Sequence, residues 1–488
     1  MEQRSREAPE SAAMAGDTMS WTVTITGEHW EQLHGHLFPG DNDEHGAVLR
    51  CGLAGTRLLV REVIPAIDSR DYVSGTRSYR QLKADFVTEQ ALRFADDHSI
   101  YLAVHNHGGR DRVGFSDTDM ASHERSYPAI LQLTGAPAVG ALVFADNAVA
   151  GDIWTTDGRR HPIEKLTVTG PDRRELRPQP EESIAAAQAY HRQALMFGDA
   201  GQDILRRQRI AIIGLGGAGS LINEMVARLG VGNLLLVDPD RLETSNLSRI
   251  VGARRFDAHP WLTDSRRPGW VRRIGERLAT PKVRVAKRVA KQAARGAQVD
   301  TVLGSVEDPG VWKQLLECNH IFLAADSHTA RLIVNAIAHQ YLIPVTQIGA
   351  KASIDRGKGD VNAVFSVIRL VEPGATCLRC NGLITPSKLT EEATPAAERK
   401  RQRYVDDEDV HAPSVISLNA VAASIAVNEW LLRTVGLAKR SIIPDWVTVD
   451  ALNGEYDLDG TRKDRDCPWC GPARFGRGDT VTLPVKIR

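Results

Sequence analysis

The chain has 488 residues, 42% hydrophobic and 25% charged, too long for one core and ordinary in balance, so two or three globular domains are expected. Its 61 Lys and Arg offset 61 Asp and Glu, so no overall field selects nucleic acid or a membrane, and no apolar run approaches the ~18 residues of a bilayer span. Of six cysteines, four fall in two C-x-x-C pairs, which points to metal in a reducing compartment and to a cytoplasmic enzyme rather than a disulfide scaffold.

The first stretch, "MEQRSREAPESAAMAGD", is polar and without an apolar signal core, and residues 1–19 read as a disordered leader. Residues 20–168 carry short alternating runs ("AVLRCGL", "RLLVREVI", "IYLAVHNH", "VGALVFAD") that predict strands of an α/β domain, with helices near 85–97 and 117–125. The charged, proline-containing segment 169–183 predicts a linker. From 184 the text changes. "RIAIIGLGGAGS" reads as a buried strand, a glycine turn and a helix start, and "NLLLVDPD" as a second strand. Then "HIFLAAD" and "IPVTQIG" follow with helical stretches between, the pattern of a doubly wound parallel sheet over 184–474. Residues 253–298 hold 13 Lys and Arg against 3 Asp and Glu, equally a solvated basic face or a partner surface. Residues 388–412 predict a mobile crossover loop and 475–488 a C-terminal tail.

In "VHNHGGRDRVGFSDTD", His105 and His107 stand at i and i+2, so on a strand both imidazoles point one way and can grip one metal ion. Asp119, at the start of the next helix, adds an oxygen ligand. Three protein ligands leave the fourth position of a tetrahedral zinc open, the mark of a catalytic site. His105-x-His107, then Ser116-x-x-Asp119, resembles the motif of the JAMM/MPN metalloproteases, with Gly108 where that family usually has proline. The resemblance spans residues 20–168. It implies a catalytic zinc on His105, His107 and Asp119, Glu44 of "EHGAVLRCGL" as general base, and Ser116 at the carbonyl oxygen of a tetrahedral intermediate.

Gly214-x-Gly216-Gly217-x-Gly219, between a strand and a helix, lets backbone amides approach a phosphate, and Asp238 after the second strand suits a ribose hydroxyl. This much serves a dinucleotide oxidoreductase equally well. "VDPDRLETSNLSR", however, resembles the signature of the ThiF family of ubiquitin-activating-type adenylyltransferases. That resemblance, over 184–474, implies ATP. It places Asp240, Asn246 and Arg249 on ribose and triphosphate, Lys282 on the phosphates, and Asp326 on magnesium, with Arg331 and Asn335 completing a D…R…N pattern. Arg192 in "YHRQALMFG" matches an arginine that reaches the partner subunit's ATP in a two-fold dimer. The arginine usual two residues earlier has no counterpart, Tyr190 standing there, and the span from Arg249 to Lys282 is longer than usual, which makes 253–281 an insertion.

Cys377-x-x-Cys380 and Cys467-x-x-Cys470 form two knuckles separated by 86 intervening residues, suited to a closed, structural four-thiolate zinc site, as in the ThiF family. The remaining Cys51 and Cys318 lie in or beside apolar runs and read as core residues. No cysteine is left in the crossover loop to receive an activated tail as a thioester.

The fold class expected is α/β: a JAMM-type domain followed by a doubly wound, Rossmann-like ThiF domain with a structural zinc. The function the two resemblances imply is zinc-dependent cleavage at the C-terminal tail of a ubiquitin-like protein together with ATP-dependent adenylation of its carboxylate, with a conjugating enzyme as a further partner. The alternatives are ThiF-type activation of a sulfur-carrier protein or small peptide for biosynthesis, and a catalytically dead scaffold that binds ubiquitin-like proteins.

Overall fold

A computed structural model describes residues 20–73, 80–171, 173–308, 310–354, 360–394, 413–438 and 446–485. The expected leader, and 395–412 of the expected crossover loop, lie outside these residues; 388–393 belong to the helix Pro386–Ala393.

The alternating runs of the N-terminal half become strands whose two faces feed two separate cores. β1 (Trp21–Thr26), β2 (Gly46–Ala54), β3 (Arg57–Pro65), β4 (Ile100–Asn106), β5 (Ala138–Ala145), β6 (Ala148–Thr155), β7 (Arg160–Thr169) and β8 (Arg174–Leu176) form one sheet in the order β1-β3-β2-β4-β5-β6-β7-β8. β7 also pairs with β1, so seven strands close on themselves and leave no open edge among them. Leu49, Leu102 and Leu142 point to a core shared with Trp30 and Leu33 of the helix Gly27–Leu37. Their neighbours Val48, Tyr101 and Ala141 point the other way, against Phe86 and Phe94 of the helix Ala84–Ala95 and Tyr127 of the helix Asp117–Thr134. This last helix runs well past the expected 125. It passes through Pro128 because Tyr127, Ile130 and Thr134 stay buried on either side of it. The expected linker is shorter than 169–183, since β8 within it pairs with β7.

The second sheet has the order β11-β10-β9-β12-β13-β14-β15-β16. Its members are β9 (Arg209–Ile213), β10 (Asn233–Val237), β11 (Gln298–Val302), β12 (His320–Leu323), β13 (Val345–Ile354), β14 (Val361–Val371), β15 (Trp446–Asp450) and β16 (Glu455–Asp459). The first five are parallel and the last three antiparallel. Ile222, Ala286 and Ala426, from the helices Gly217–Arg228, Lys282–Ala293 and Ile416–Thr434, cover one face. Ile333 and Ile337 of the helix His328–Tyr341 cover the other. Covered on both faces, the sheet is doubly wound. Its strand order reverses between β9 and β12, where ligands of open α/β sheets bind outside the carboxyl ends.

Residues 475–485 are no loose tail. Leu53 forms a bridge with Gly478, Asp479 N donates to Leu53 O at 2.8 Å, and Gln340 Nε2 donates to Gly478 O at 2.7 Å. The segment thus grips both halves. A Cβ on Gly52 or on Gly478 would collide with the opposing carbonyl oxygen, so the two backbones meet closely because both positions are glycine. No helix among the described residues is long and apolar enough to cross a membrane.

Candidate functional site

The H-x-H pair is built at the end of β4. Gly46 pairs with His105 in the ladder, which brings Glu44, just before β2, to the same end. His107 N donates to Phe144 O at 2.8 Å, so its side chain keeps the alternation and falls beside His105. Ser116 caps the helix Asp117–Thr134 in a reciprocal capping box with Asp119. The Ser116 hydroxyl donates to Asp119 Oδ2 at 2.7 Å, so the serine aims the carboxylate.

The outcome is a tight triangle. His105 Nε2 and His107 Nε2 stand 3.1 Å apart, and each is 3.4 Å from an oxygen of Asp119. A tetrahedral zinc with bonds of about 2.0–2.1 Å spaces its ligands about 3.3–3.4 Å apart, so the donor set and its spacing fit that ion. Burial raises the Asp119 carboxyl, but hydrogen bonds with His105 and Ser116 outweigh it and hold the group well below the usual carboxylate range. Glu44 Oε1 lies 3.9 Å from His107 Nε2, outside the triangle and beside it.

One turn beyond Asp119, His123 is buried against Phe115 and stacked on Tyr127, with ring centroids 4.6 Å apart. Burial pushes its imidazole down to about 4. Sequence reasoning passed over this residue, although its i+4 spacing from Asp119 on a helix was the available signal.

In the second half the glycine turn joins β9 to the helix Gly217–Arg228. Gly214 takes a positive φ of 86°, and a Cβ there would press on the backbone of Ala324 and Ala325. A Cβ on Gly219 would strike the Gly214 carbonyl, and one on Gly217 the Asn419 amide. Gly216 differs: a Cβ there would meet nothing. Three of the glycines are therefore needed for packing, while Gly216 fronts open space at the helix N-terminus, the place where a phosphate would approach the backbone. Asp238 accepts from Leu215 N at 2.6 Å and from Asp240 N at 2.8 Å, which draws both loops to the end of β10. Burial raises its carboxyl, against the pull of Lys282.

Lys282 is the first residue of its helix and pairs with Asp240 at 2.7 Å. Asn246 Oδ1 accepts from Glu243 N, and Arg249 donates to Ser245 O at 2.9 Å, so these two side chains brace the loop they stand on. Asp326 is exposed at the end of β12, directly after Ala324 and Ala325. The expected insertion forms short helices, closes on itself through Thr280 N to Asp257 O at 2.8 Å, and returns to the Asp240 loop through Leu242 N to Thr280 O at 2.9 Å. Arg192 lies exposed near the start of the helix His191–Arg207, without a hydrogen bond or ion pair among the described residues. Asn335, fully buried two turns into its helix, accepts from Leu378 N at 2.9 Å and donates to Cys377 Sγ at 3.4 Å, so it braces the cysteine knuckle.

Cys377, Cys380, Cys467 and Cys470 converge, their sulfurs within 4.8 Å of one another, and all are buried. The Cys470 thiol donates to Cys377 and pulls it toward thiolate, while burial pushes Cys380 up; four crowded sulfurs of this kind call for a cation. Burial pushes the Cys318 thiol up to about 12 and raises Cys51 as well.

A doubly wound sheet with a glycine turn at its switch point, together with a four-cysteine cluster, defines an α/β protein of the Rossmann-like class. Residues 190–469 match the ThiF family, and the chain belongs to it. It is 29% identical over 194 residues to the sulfur carrier protein ThiS adenylyltransferase of Bacillus subtilis, covering 39% of this chain and 49% of that one. It is 34% identical over 128 residues to the molybdopterin-synthase adenylyltransferase of Escherichia coli, covering 26% and 51%. It is 23% identical over 252 residues to ubiquitin-like modifier-activating enzyme 5 of Drosophila virilis, covering 51% and 55%. The chain spans about half the length of these curated relatives. The triangle of His105, His107 and Asp119 lies before the residues that match the family.

Proposed function

We propose that the C-terminal half adenylates the C-terminal carboxylate of a ubiquitin-like or sulfur-carrier protein with ATP. The observation that carries this reading is the open position at Gly216 within an otherwise close-packed glycine turn, set at the switch point beside Asp238, Asp240 and Lys282. Three relatives named as adenylyltransferases or activating enzymes support it. A carboxylate oxygen of the substrate attacks the α-phosphorus, the bond to the bridging oxygen breaks, and pyrophosphate leaves with its charge. The amides around Gly216, with Lys282 and Arg249, hold the phosphates, and Asp238 and Asn246 hold the ribose. Lys282 exchanges its Asp240 partner for phosphate in this step. Asp326 would hold magnesium, which would supply positive charge to the phosphates. Arg192 completes the site of a second copy in a two-fold dimer.

The test is ATP–pyrophosphate exchange with purified carrier proteins encoded beside the gene. Exchange that depends on the carrier's terminal carboxylate and is lost in Asp326→Ala is expected. Exchange that survives Asp326→Ala would sink the site assignment.

A second reading concerns the N-terminal half and rests on the 3.1 and 3.4 Å triangle. Its spacing supports a catalytic zinc on His105, His107 and Asp119, as the likeness to JAMM/MPN enzymes implies. When bound, zinc supplies Lewis acidity and lowers the pKa of a water. Glu44 is then the residue that accepts and returns a proton, and Ser116 positions Asp119. The substrate is a peptide or isopeptide bond beside the same carrier tail. Glu44→Gln should abolish cleavage of a carrier–peptide fusion and leave exchange intact. Cleavage that persists in Glu44→Gln would remove this reading and leave the adenylation reading standing.

A further inference from the structure

Beside Glu44, His105 and Asp119 a cavity of about 490 Å³ opens between the helices Ala84–Ala95 and Asp117–Thr134. Its walls include Leu82, Val87, Ala91, Val104 and Ile130, which are apolar. Its lining also includes His123 and Tyr127, 7% and 2% exposed. His123 Nδ1 is buried without a hydrogen-bond partner among the described residues, and so is the Tyr127 hydroxyl. A buried polar group left unpaired costs free energy and asks for an explanation, and here two stand stacked together within one turn of a metal-ligand candidate. Arg125 on the lip is exposed and without an ion-pair partner among the described residues.

Apolar walls with unpaired polar groups among them fit a guest with an apolar body and a polar tip. A glycine-only tail would leave this space empty. We propose that the cavity is a substrate subsite of the His105–His107–Asp119 centre that takes a tyrosine-like side chain, next to the cleaved bond of an extended peptide whose adjoining residue is acidic. The hydroxyl of the guest satisfies His123, and the acidic neighbour meets Arg125. The inference rests on the zinc-hydrolase reading for the cleavage it implies, but the pocket itself can be tested without cleavage.

The test uses fluorescein-labelled peptides that are identical except for Gly, Leu, Phe or Tyr on one or the other side of the intended bond, each with a neighbouring Glu or Gln. Binding to full-length Glu44→Gln protein is followed by anisotropy with and without chelator, and cleavage is followed with the zinc-loaded wild type. In one of the two series, Tyr should exceed Phe, and Phe exceed Gly, by about tenfold each. Thr88→Trp, on the exposed lip, should erase that order, and His123→Phe should erase only the difference between Tyr and Phe. Arg125→Ala should erase the preference for Glu. A Tyr preference in binding without any cleavage by the wild type would uphold the pocket and end the zinc-hydrolase reading. Equal binding of all peptides, or a Tyr-to-Phe ratio untouched by His123→Phe, would overturn the proposal.

Discussion

Arg477 donates to Asp97 Oδ2 at 2.7 Å and so joins, across 380 positions of chain, the end of the ThiF half to the N-terminal half. The same oxygen receives Arg61 at 2.7 Å and Arg50 at 2.6 Å. Three guanidinium groups around one partly buried carboxylate make a geometric lock, because each fork fixes a direction as well as a charge. Arg477 stands in the segment that follows the Cys470 knuckle, and Asp97 follows the helix Ala84–Ala95 that walls the cavity. The lock therefore ties the segment after the cysteine cluster to the N-terminal half.

Burial raises the Asp97 carboxyl, but hydrogen bonds from Arg50, Arg61 and Ser99 prevail and hold it well below its ordinary value. A depressed folded-state pKa means that the unfolded chain binds the proton more readily. The stabilisation is complete above the unfolded carboxylate pKa of about 3.9 and is lost as pH falls through the folded value. The stability difference between wild type and Asp97→Asn should thus stay level from pH 7 to about pH 5 and shrink below about pH 4. Denaturant midpoints across that range check it, and a difference that grows on acidification would contradict the sign. At pH 7, Asp97→Asn should cost about 3 kcal/mol, since it strands three cations together.

The four turn glycines should not respond alike to alanine. Gly219→Ala forces a methyl group into the Gly214 carbonyl and should lower stability by about 2 kcal/mol or more, with ATP binding lost as a consequence. Gly216→Ala meets open space in the free protein, so its melting temperature should stay within about 2 °C of wild type. Its methyl group instead occupies the approach to the amides, and ATP affinity should fall about tenfold or more. Calorimetric titration with ATP beside thermal melts distinguishes the two. A stable Gly216→Ala with unchanged ATP affinity would move the phosphate elsewhere.

Metal content should separate a closed site from an open one. The full chain should hold two zinc ions. Cys377→Ser should lose one of them together with much of the C-terminal half's stability, because buried thiols without their cation repel one another. His107→Ala should lose the other at little cost to stability, since the triangle lies at a partly exposed strand end. Elemental analysis of purified variants, with melts alongside, reads both. One zinc in the wild type, unchanged by His107→Ala, would leave the triangle without its ion.

What could be read in advance depended on how local the determinant was. The H-x-H pair needs only the two-residue period of a strand, and Ser116-x-x-Asp119 only the capping geometry of a helix start, so the three members of the triangle stood in the text. The glycine turn is equally local. The spacing of Asn335 from Asp326 carries no hint that the helix turns it inward to the Cys377 knuckle. The grouping of Asp97 with Arg50, Arg61 and Arg477 carries no periodicity at all. Charged residues at 475–485 read as a tail, and only the close meeting of Gly52 and Gly478 with the opposing backbone reveals a docked segment. β8 is three residues long, too short to alternate visibly.

The last prediction is that any acyl-adenylate made here is not transferred to a thiol of this chain. A thioester needs a thiolate that is partly exposed and of lowered pKa, within reach of the activated carbonyl. Cys51 is fully buried in β2 of the other half, and burial raises its pKa. Cys318 is 2% exposed ahead of β12, its thiol donating to Gln314 O, and burial pushes it up to about 12, so at neutral pH almost none of it is nucleophilic. The other four sulfurs converge on one another, and releasing one would dismantle the cluster. The adenylate is then handed to a thiol on a separate protein or is attacked directly by an amine or sulfur donor. Enzyme, ATP and carrier protein run on a non-reducing gel should give no adduct sensitive to reductant. An adduct that survives Cys51→Ala and disappears in Cys318→Ala would refute this and make Cys318 the acceptor, which would require β12 and the turn before it to open during the reaction.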